Sequence, residues 1–310
     1  MTLLPAITTE SELDAVRKDS ELCRRALEAA ARASDLAATP ELFADGSAIV
    51  GATGSTVIKI YAPFDRAHRD VEERVLKYLT DRLSCPTPRV RGTATLDGWW
   101  VLHMSRLEGT VLSEDWDQRP QSERVELARQ MGEVTAELHA LETHALRDLP
   151  PDWTSFLECG VERCLDRQQR FELEASWLDR IERYLASVDL GKPELVLLHT
   201  ELMPAHFLGM SSSGRSRLTG LLDFEPAMLG APEYELASVG LFVSRGDREI
   251  FRSFLAGYGL PASAWNAGLS RRCLAYTLLH RYACLPWYMR FMPMDGVDSL
   301  ESMAGRWFDC

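Results

Sequence analysis

The sequence predicts an α+β chain of two lobes, an N-terminal lobe on a small antiparallel sheet and a larger, mainly helical C-terminal lobe. Three observations predict it. Short β-branched runs punctuated by Gly46, Gly51 and Gly54 fall in the first part of the chain. Helix-period patterns dominate beyond Gly109. The 310 residues, 46% hydrophobic and 26% charged, supply core material for one large two-lobed domain or two ordinary ones and exclude wholesale disorder. The expected division is 1–108 and 109–310, with a hinge near Arg106 to Gly109.

Thr9 to Ala38 reads as helix, with Thr9 and Ser11 as N-cap candidates and Leu13, Val16, Leu22 and Leu27 at helical spacing. Glu41 to Ile60 reads as two or three antiparallel strands joined by tight turns. Asp70 to Leu83 returns to helix, with Val71, Val75, Leu76 and Leu79 on one face, and Pro86 and Pro88 follow its end. "GWWVLHMSRLEG" gives one more strand and the linker. Ser122 to Leu141 is a long amphipathic helix, and Phe156 to Val188 supplies further helices. Two short apolar strands, "ELVLLHTE" and "RLTGLLDFE", are expected to form a hairpin across a polar turn at Ser211 to Arg217. The tail from Tyr234 to Cys310 is helical and rich in aromatics.

Forty-six acids against thirty-four bases give a net charge of −12. General nucleic-acid binding needs a basic face and is therefore not expected, whereas an acidic surface would draw a cationic substrate. The seven cysteines are scattered, odd in number and without a C-x-x-C pair, which points to reduced thiols rather than a disulfide or zinc scaffold. Met1 to Glu10 has no basic stretch leading into an apolar run, and no apolar run approaches membrane-spanning length. A soluble, cytoplasmic protein with no membrane partner is expected.

Chemistry-bearing residues concentrate at the ends of the two C-lobe strands. His199 and Glu201 end one, His206 follows, and Asp223 and Glu225 end the other, where alternation would put both carboxylates on one side. A carboxylate there can accept a proton from an attacking hydroxyl, and others can hold a divalent metal through oxygen. Polar strand ends that merely face water are the alternative. Lys59 stands alone in the apolar run "TVIKIY". It reads either as a lysine snorkelling from an edge strand or as a phosphate-pairing lysine oriented by Glu72 or Glu73 on the next helix, Glu72 being better phased with the docking face. "ADGSA" at 44–48, with Gly46 and Ser47, is a small-residue turn able to cover phosphates, although the chain has no G-x-G-x-x-G or Walker sequence. Trp99, Trp100, Trp287 and Tyr288 read as core or lobe-interface aromatics.

These pieces in this order resemble the aminoglycoside phosphotransferase family of the protein-kinase-like fold, with hygromycin B kinases the nearest in pattern. The similar segments are "TVIKIY", "EERVLKYL", "WVLHMSRLEGTVL", "LARQMGEVTAELHAL", "LLHTELMPAHFL" and "GLLDFEPAMLGAPEYELASVGLF", spanning roughly residues 40 to 245. The resemblance implies a bilobal fold and transfer of a γ-phosphate from ATP or GTP, with Mg²⁺ or Mn²⁺, to a hydroxyl of a small molecule such as an aminoglycoside or related sugar. In that family such transfer confers antibiotic resistance. It further implies that Lys59 contacts the α- and β-phosphates with Glu72 paired to it. Met104, Ser105, Arg106 and Leu107 would form the adenine-contacting linker, Asp223 the metal-binding aspartate, Glu225 the acid that follows it, and His199 the histidine bracing the catalytic loop.

The loop departs from the family's H-G-D and following asparagine. Here Thr200 replaces the glycine, Glu201 the aspartate and His206 the asparagine. Glu201 keeps a carboxylate but adds a methylene, moving its oxygens by about 1 Å, a displacement that can cost on the order of 100-fold in rate. His206 offers imidazole where a hard Mg²⁺ prefers oxygen; Mn²⁺ or Zn²⁺ suits it better. Three readings stay open: a phosphotransferase with Glu201 and Asp223 as catalytic residues and Asp223, His206 and Glu225 around the metal; a non-catalytic relative that binds nucleotide or a partner; and transfer of another part of the nucleotide, such as an adenylyl group.

Overall fold

The computed structural model describes residues 2–36, 39–43, 46–212 and 215–310. Ala37 and Ala38 of the leading helix, Ala44 and Asp45 of the "ADGSA" turn, and Ser213 and Gly214 of the polar turn lie outside the described residues. The chain divides into two compact units, Met1–Gly109 with Thr219–Pro226, and Thr110–Leu218 with Ala227–Cys310.

In the first unit the leading helix is two helices, α1 (Glu10–Lys18) and α2 (Ser20–Ala33). Asp19 separates them: its backbone leaves the helical region and its carboxylate accepts the Leu22 N–H at 2.9 Å, capping α2. Thr9 and Glu12 close a capping box on α1. Then come β1 (Glu41–Leu42), β2 (Ile49–Thr53), β3 (Thr56–Tyr61), α3 (Arg66–Leu79), β4 (Val90–Leu96) and β5 (Trp99–Ser105). The strands form one antiparallel sheet in the order β1-β2-β3-β5-β4. β4 was not expected, and it pairs with β5 across Asp97-Gly98, both at positive φ as a tight hairpin turn requires.

Alternation on β3 divides its side chains between the two faces of the sheet. Ile58 and Ile60 join Ile49, Trp99 and Val101 in a core with Leu13, Val16, Leu27 and Ala30 of α1 and α2. Val57, Lys59 and Tyr61 take the opposite face. β3 is the central strand, paired to β2 and β5 on either side, so Lys59 does not sit at an edge. Helix α3 buries Val71, Glu72, Val75, Leu76 and Leu79, a stripe that includes one carboxylate.

The second unit contains β6 (Thr110–Val111), α4 (Gln121–His139), α5 (Trp153–Arg170), α6 (Ala175–Ser187), β7 (Val196–Leu198), β8 (Phe207–Ser212), the start of β9 (Arg215–Leu221), β10 (Met228–Gly230), α7 (Glu235–Ser238), α8 (Arg248–Tyr258), α9 (Ala267–Leu279), α10 (Leu285–Phe291) and α11 (Leu300–Trp307). The expected hairpin is corrected here. β7 pairs with β10, and β9 lies beside β8 in the order β6-β8-β9. Helices α4 and α8 meet through glycine: a Cβ at Gly132 would fall 2.2 Å from the Phe254 carbonyl oxygen, and one at Gly257 2.0 Å from that of Arg129. The seven cysteines are free thiols. Among the described residues, no helix is long and apolar enough to cross a membrane.

Candidate functional site

The first unit gathers one ammonium and three carboxylates. Lys59 Nζ lies 2.6 Å from Asp223 Oδ1, 2.9 Å from Glu225 Oε2 and 3.2 Å from Glu72 Oε2. Each arrives from a different element: Lys59 from the centre of β3, Glu72 from the buried stripe of α3, and the two acids from the segment after β9. That strand ends at Leu221, so strand alternation does not bring Asp223 and Glu225 together. Instead Asp223 adopts φ 67°, a left-handed turn that aspartate tolerates. Glu72 fixes this turn by accepting the Phe224 N–H at 3.2 Å, and it also accepts the Tyr61 hydroxyl. Ser47 donates to Glu225 Oε1 at 2.7 Å.

Burial works against the charge on Lys59, but Asp223, Glu72 and the remaining acidic neighbours outweigh it and hold its pKa well above the ordinary lysine value. Burial pushes Glu72 up despite the adjacent Lys59, and burial together with Glu72 pushes the Tyr61 phenol up. One ammonium cannot neutralise three carboxylates. The surplus negative charge suits a divalent ion, and the ligand oxygens of Glu72, Asp223 and Glu225 lie within 4.8 Å of one another. An all-carboxylate set fits a hard ion such as Mg²⁺.

The second unit holds the loop that carries Glu201. It is fixed at nearly every backbone group. The buried Glu235 carboxylate, at the start of α7, accepts the N–H groups of His199 and Thr200, the latter at 3.0 Å. His199 Nδ1 accepts the Glu201 N–H at 3.3 Å, and His280 Nε2 meets the Thr200 carbonyl at 3.1 Å. His206 Nδ1 is 2.8 Å from the Glu201 carbonyl oxygen, so that nitrogen serves the loop backbone. Thr200 takes φ 75°, a backbone region that disfavours β-branched residues, and the bonds on its N–H and carbonyl hold it there.

The remaining sequence candidates fall in the first unit. Met104 is buried in β5 opposite Val57. Ser105 Oγ accepts the Arg89 N–H at 2.8 Å, and Arg106 N–H donates to the Ser55 carbonyl at 2.8 Å. Leu107 is half-buried, and Gly46 adopts φ 132° beside Ser47. Trp99 is buried as expected for a core aromatic, but Trp287 is 47% exposed and departs from that expectation. Sequence reasoning missed Tyr61, Glu235 and His280. Glu235 had the same signal that exposed Lys59, a single charge inside an apolar run, "YELASVGLF".

A central-strand lysine bonded to a helix glutamate, an aspartate just beyond a later strand, and a separately braced H-x-E loop together define a kinase-like phosphotransferase fold. A sequence model of the phosphotransferase enzyme family matches residues 44–270, and the chain belongs to that family. Among solved structures, the GDP and kanamycin complex of an APH(2″) enzyme of type IIIa is similar with a TM-score of 0.68 at 17% identity, covering 90% of this chain and 97% of that one. The macrolide 2′-phosphotransferase MphH from Brachybacterium faecium, an apoenzyme, gives 0.61 at 22% identity over 92% and 97%. The streptomycin and ATP ternary complex of an APH(2″) enzyme of type IIa gives 0.60 at 15% over 88% and 97%. These likenesses establish the kinase-like fold.

Proposed function

We propose that this protein transfers the γ-phosphate of ATP or GTP to a hydroxyl of a small molecule. The observation that carries the reading is the buried Lys59 gripped by Glu72 and Asp223. Such a lysine, kept charged by its acidic neighbours, can pair with phosphate oxygens while Glu72 keeps it oriented. Asp223 and Glu225 are the residues to hold a divalent ion, which when bound would offset charge on the phosphates. Glu201 accepts the hydroxyl proton. The hydroxyl oxygen forms the new bond to phosphorus, the bond to the β-phosphate oxygen breaks, and the nucleoside diphosphate leaves. Catalysis here is positioning and electrostatics.

The acceptor is a hydroxyl-bearing small molecule of the kind bound by the similar structures, an aminoglycoside or related sugar; the net charge of −12 favours a cationic one. A second reading, a nucleotide-binding relative without transfer, is favoured by Glu201, Thr200 and His206 standing where the family has aspartate, glycine and asparagine. One experiment separates the two. The protein is incubated with ATP or GTP, Mg²⁺ or Mn²⁺, and a panel of aminoglycosides (hygromycin B included) and macrolides, and products are read by mass spectrometry. The transferase reading expects a phosphoryl adduct that Asp223→Ala abolishes and Glu201→Gln lowers by about 100-fold or more. Wild-type rates in either variant would refute the assigned roles, and an adenylyl adduct would replace the reaction.

A further inference from the structure

The second unit carries four aromatic rings in mutual contact, every pair of centroids lying within 6.3 Å. Trp287, Tyr288 and Phe291 belong to α10, where Trp287 and Phe291 stand one turn apart on the same side with centroids 4.9 Å apart. Phe242 belongs to a π-helical stretch, Val239–Ser244, that continues α7. Leu241 and Val243 in that stretch are buried, whereas Phe242 is half-buried, its ring 6.0 Å from those of Trp287 and Phe291. Tyr288 is buried, but Trp287 is 47% exposed. A large ring backed by three others and still open to solvent is the informative case, since tryptophan is mostly buried in folded chains.

This face is tied to the loop of Glu201. His280 Nε2 meets the Thr200 carbonyl at 3.1 Å, and its Nδ1 accepts the Tyr282 N–H at 3.3 Å. The Tyr288 hydroxyl donates to the Tyr282 carbonyl at 3.3 Å. Helix α5 braces the turn between them. Buried Gln168 accepts the Leu285 N–H at 2.8 Å and donates to the Ala283 carbonyl at 3.1 Å, and Arg167 donates to the His280 carbonyl. The rings are therefore held in a fixed place relative to the H-x-E loop. Burial pushes the Tyr288 phenol up, and the Glu201 carboxylate is near enough to add to that rise.

Two demands select the occupant. A proton-accepting carboxylate at 201 calls for a hydroxyl. The negative faces of the rings call for weakly positive C–H groups on a flat body. A sugar ring meets both, because its hydroxyls spread around the rim while its axial C–H bonds leave one face apolar. A hydrocarbon offers no hydroxyl, and a linear polyamine offers neither hydroxyl nor face. None of the four clustered residues is a carboxylate, so this surface reads ring shape rather than amine charge.

We propose that Trp287, backed by Phe242, Tyr288 and Phe291, seats a sugar ring of the acceptor and is a specificity-determining residue. Calling that sugar the acceptor rests on the phosphotransferase reading, whereas its binding is measured without turnover. The probe is methyl β-D-galactopyranoside, whose ring hydrogens at carbons three, four and five share one face, followed by saturation-transfer NMR. We expect saturable binding with a Kd of about 10 mM and the strongest transfer at those hydrogens. Trp287→Leu, which keeps an apolar side chain but removes the ring, should weaken binding by about tenfold, and Trp287→Phe should stay within about threefold of wild type. Spermidine, cationic and without a ring, should not displace the sugar. Absence of saturable binding, equal affinity in wild type and Trp287→Leu, or displacement by spermidine overturns the site. A dimer in sedimentation that Trp287→Leu dissociates would assign the face to a second copy of the chain and overturn it as well. In an active enzyme Trp287→Leu should raise KM for a sugar acceptor by about tenfold, and an unchanged KM overturns the acceptor role. Trp287-dependent binding in a protein that phosphorylates no sugar sustains the sugar face and sinks only the transferase reading, so the two failures are distinguishable.

Discussion

Acidification from about pH 7.5 to about pH 5 should weaken the fold through one buried imidazole, His280. The ring is 7% exposed and stacks on Tyr234 at 5.1 Å. In its neutral form Nε2–H donates to the Thr200 carbonyl at 3.1 Å and Nδ1 accepts the Tyr282 N–H at 3.3 Å. A second proton would have to go on Nδ1, where it would face that N–H. Burial, with Arg281 and Arg167 adding to it, pushes the pKa down to about 4 against the opposing pull of the Thr200 carbonyl and Glu235. The unfolded chain takes up this proton near its ordinary value of about 6.5, and the native chain refuses it until about 4. The contribution is therefore complete above about pH 6.5 and is lost as the pH falls towards 4. The full gap corresponds to about 3 kcal/mol, of which about 2 kcal/mol is gone by pH 5. Urea denaturation across this range, repeated on His280→Gln, isolates the group from the other titrating residues. The glutamine amide can still donate to Thr200 and accept from Tyr282 but does not titrate. The wild type should lose about 2 kcal/mol more than the variant between the two pH values. Parallel pH profiles for the two proteins would refute the reasoning.

Lys59→Met leaves Glu72, Asp223 and Glu225 without their ammonium and should cost about 3 kcal/mol, a deficit relative to wild type that shrinks in acid as the carboxylates take up protons; calorimetry at neutral and acidic pH checks it. Gly132→Ala drives a methyl into the Phe254 carbonyl and the Tyr258 N–H and should lower stability by about 2 kcal/mol or more, read as a drop in denaturation midpoint. Thr200→Gly relieves a β-branched residue at positive φ but removes a fully buried side chain and loosens the unfolded chain, so the terms should nearly cancel and stability should stay within about 1 kcal/mol of wild type in the same assay.

How legible each feature was follows from how much periodicity it carried. Lys59 stood out because a charge interrupts a continuous apolar run, and Glu72 because its phase on α3 matches Val75, Leu76 and Leu79. The family resemblance rested on motifs long enough to be specific, and the family match agrees with it. The likeness to hygromycin B kinases in particular is not what the comparisons bring forward. The hairpin was misread because strands of three residues, Val196–Leu198 and Met228–Gly230, contain too few positions to show a period, and nothing local says that they pair with each other. Strand β4, "VRGTATL", alternates between half-buried and exposed positions and lacks a strong apolar face. Asp19 reads as one polar residue on a helix surface until its carboxylate is seen on the Leu22 N–H.

The residues missed at the loop share a physical cause. A buried charge needs partners, and sequence reasoning looks for an oppositely charged side chain. Glu235 finds its partners in backbone N–H groups, which every residue possesses and no sequence distinguishes. The same fact bears on the altered H-x-E loop. A longer carboxylate at 201 would misplace its oxygens on an unrestrained backbone, yet this backbone is bonded at the N–H groups of 199, 200 and 201 and at the carbonyls of 200 and 201. Thr200, the least comfortable residue for a left-handed conformation, is bonded on both sides, and His206 anchors the chain at Glu201 itself. Under the transferase reading, such a clamp would hold the longer carboxylate in a fixed place. If the clamp matters to the chemistry, His206→Leu, which removes the bond to the Glu201 carbonyl, should lower turnover by about tenfold, while His206→Asn, whose side-chain amide can donate to that carbonyl from the same position, should retain most of it. Undiminished turnover in His206→Leu would mean that the backbone clamp contributes nothing to the chemistry.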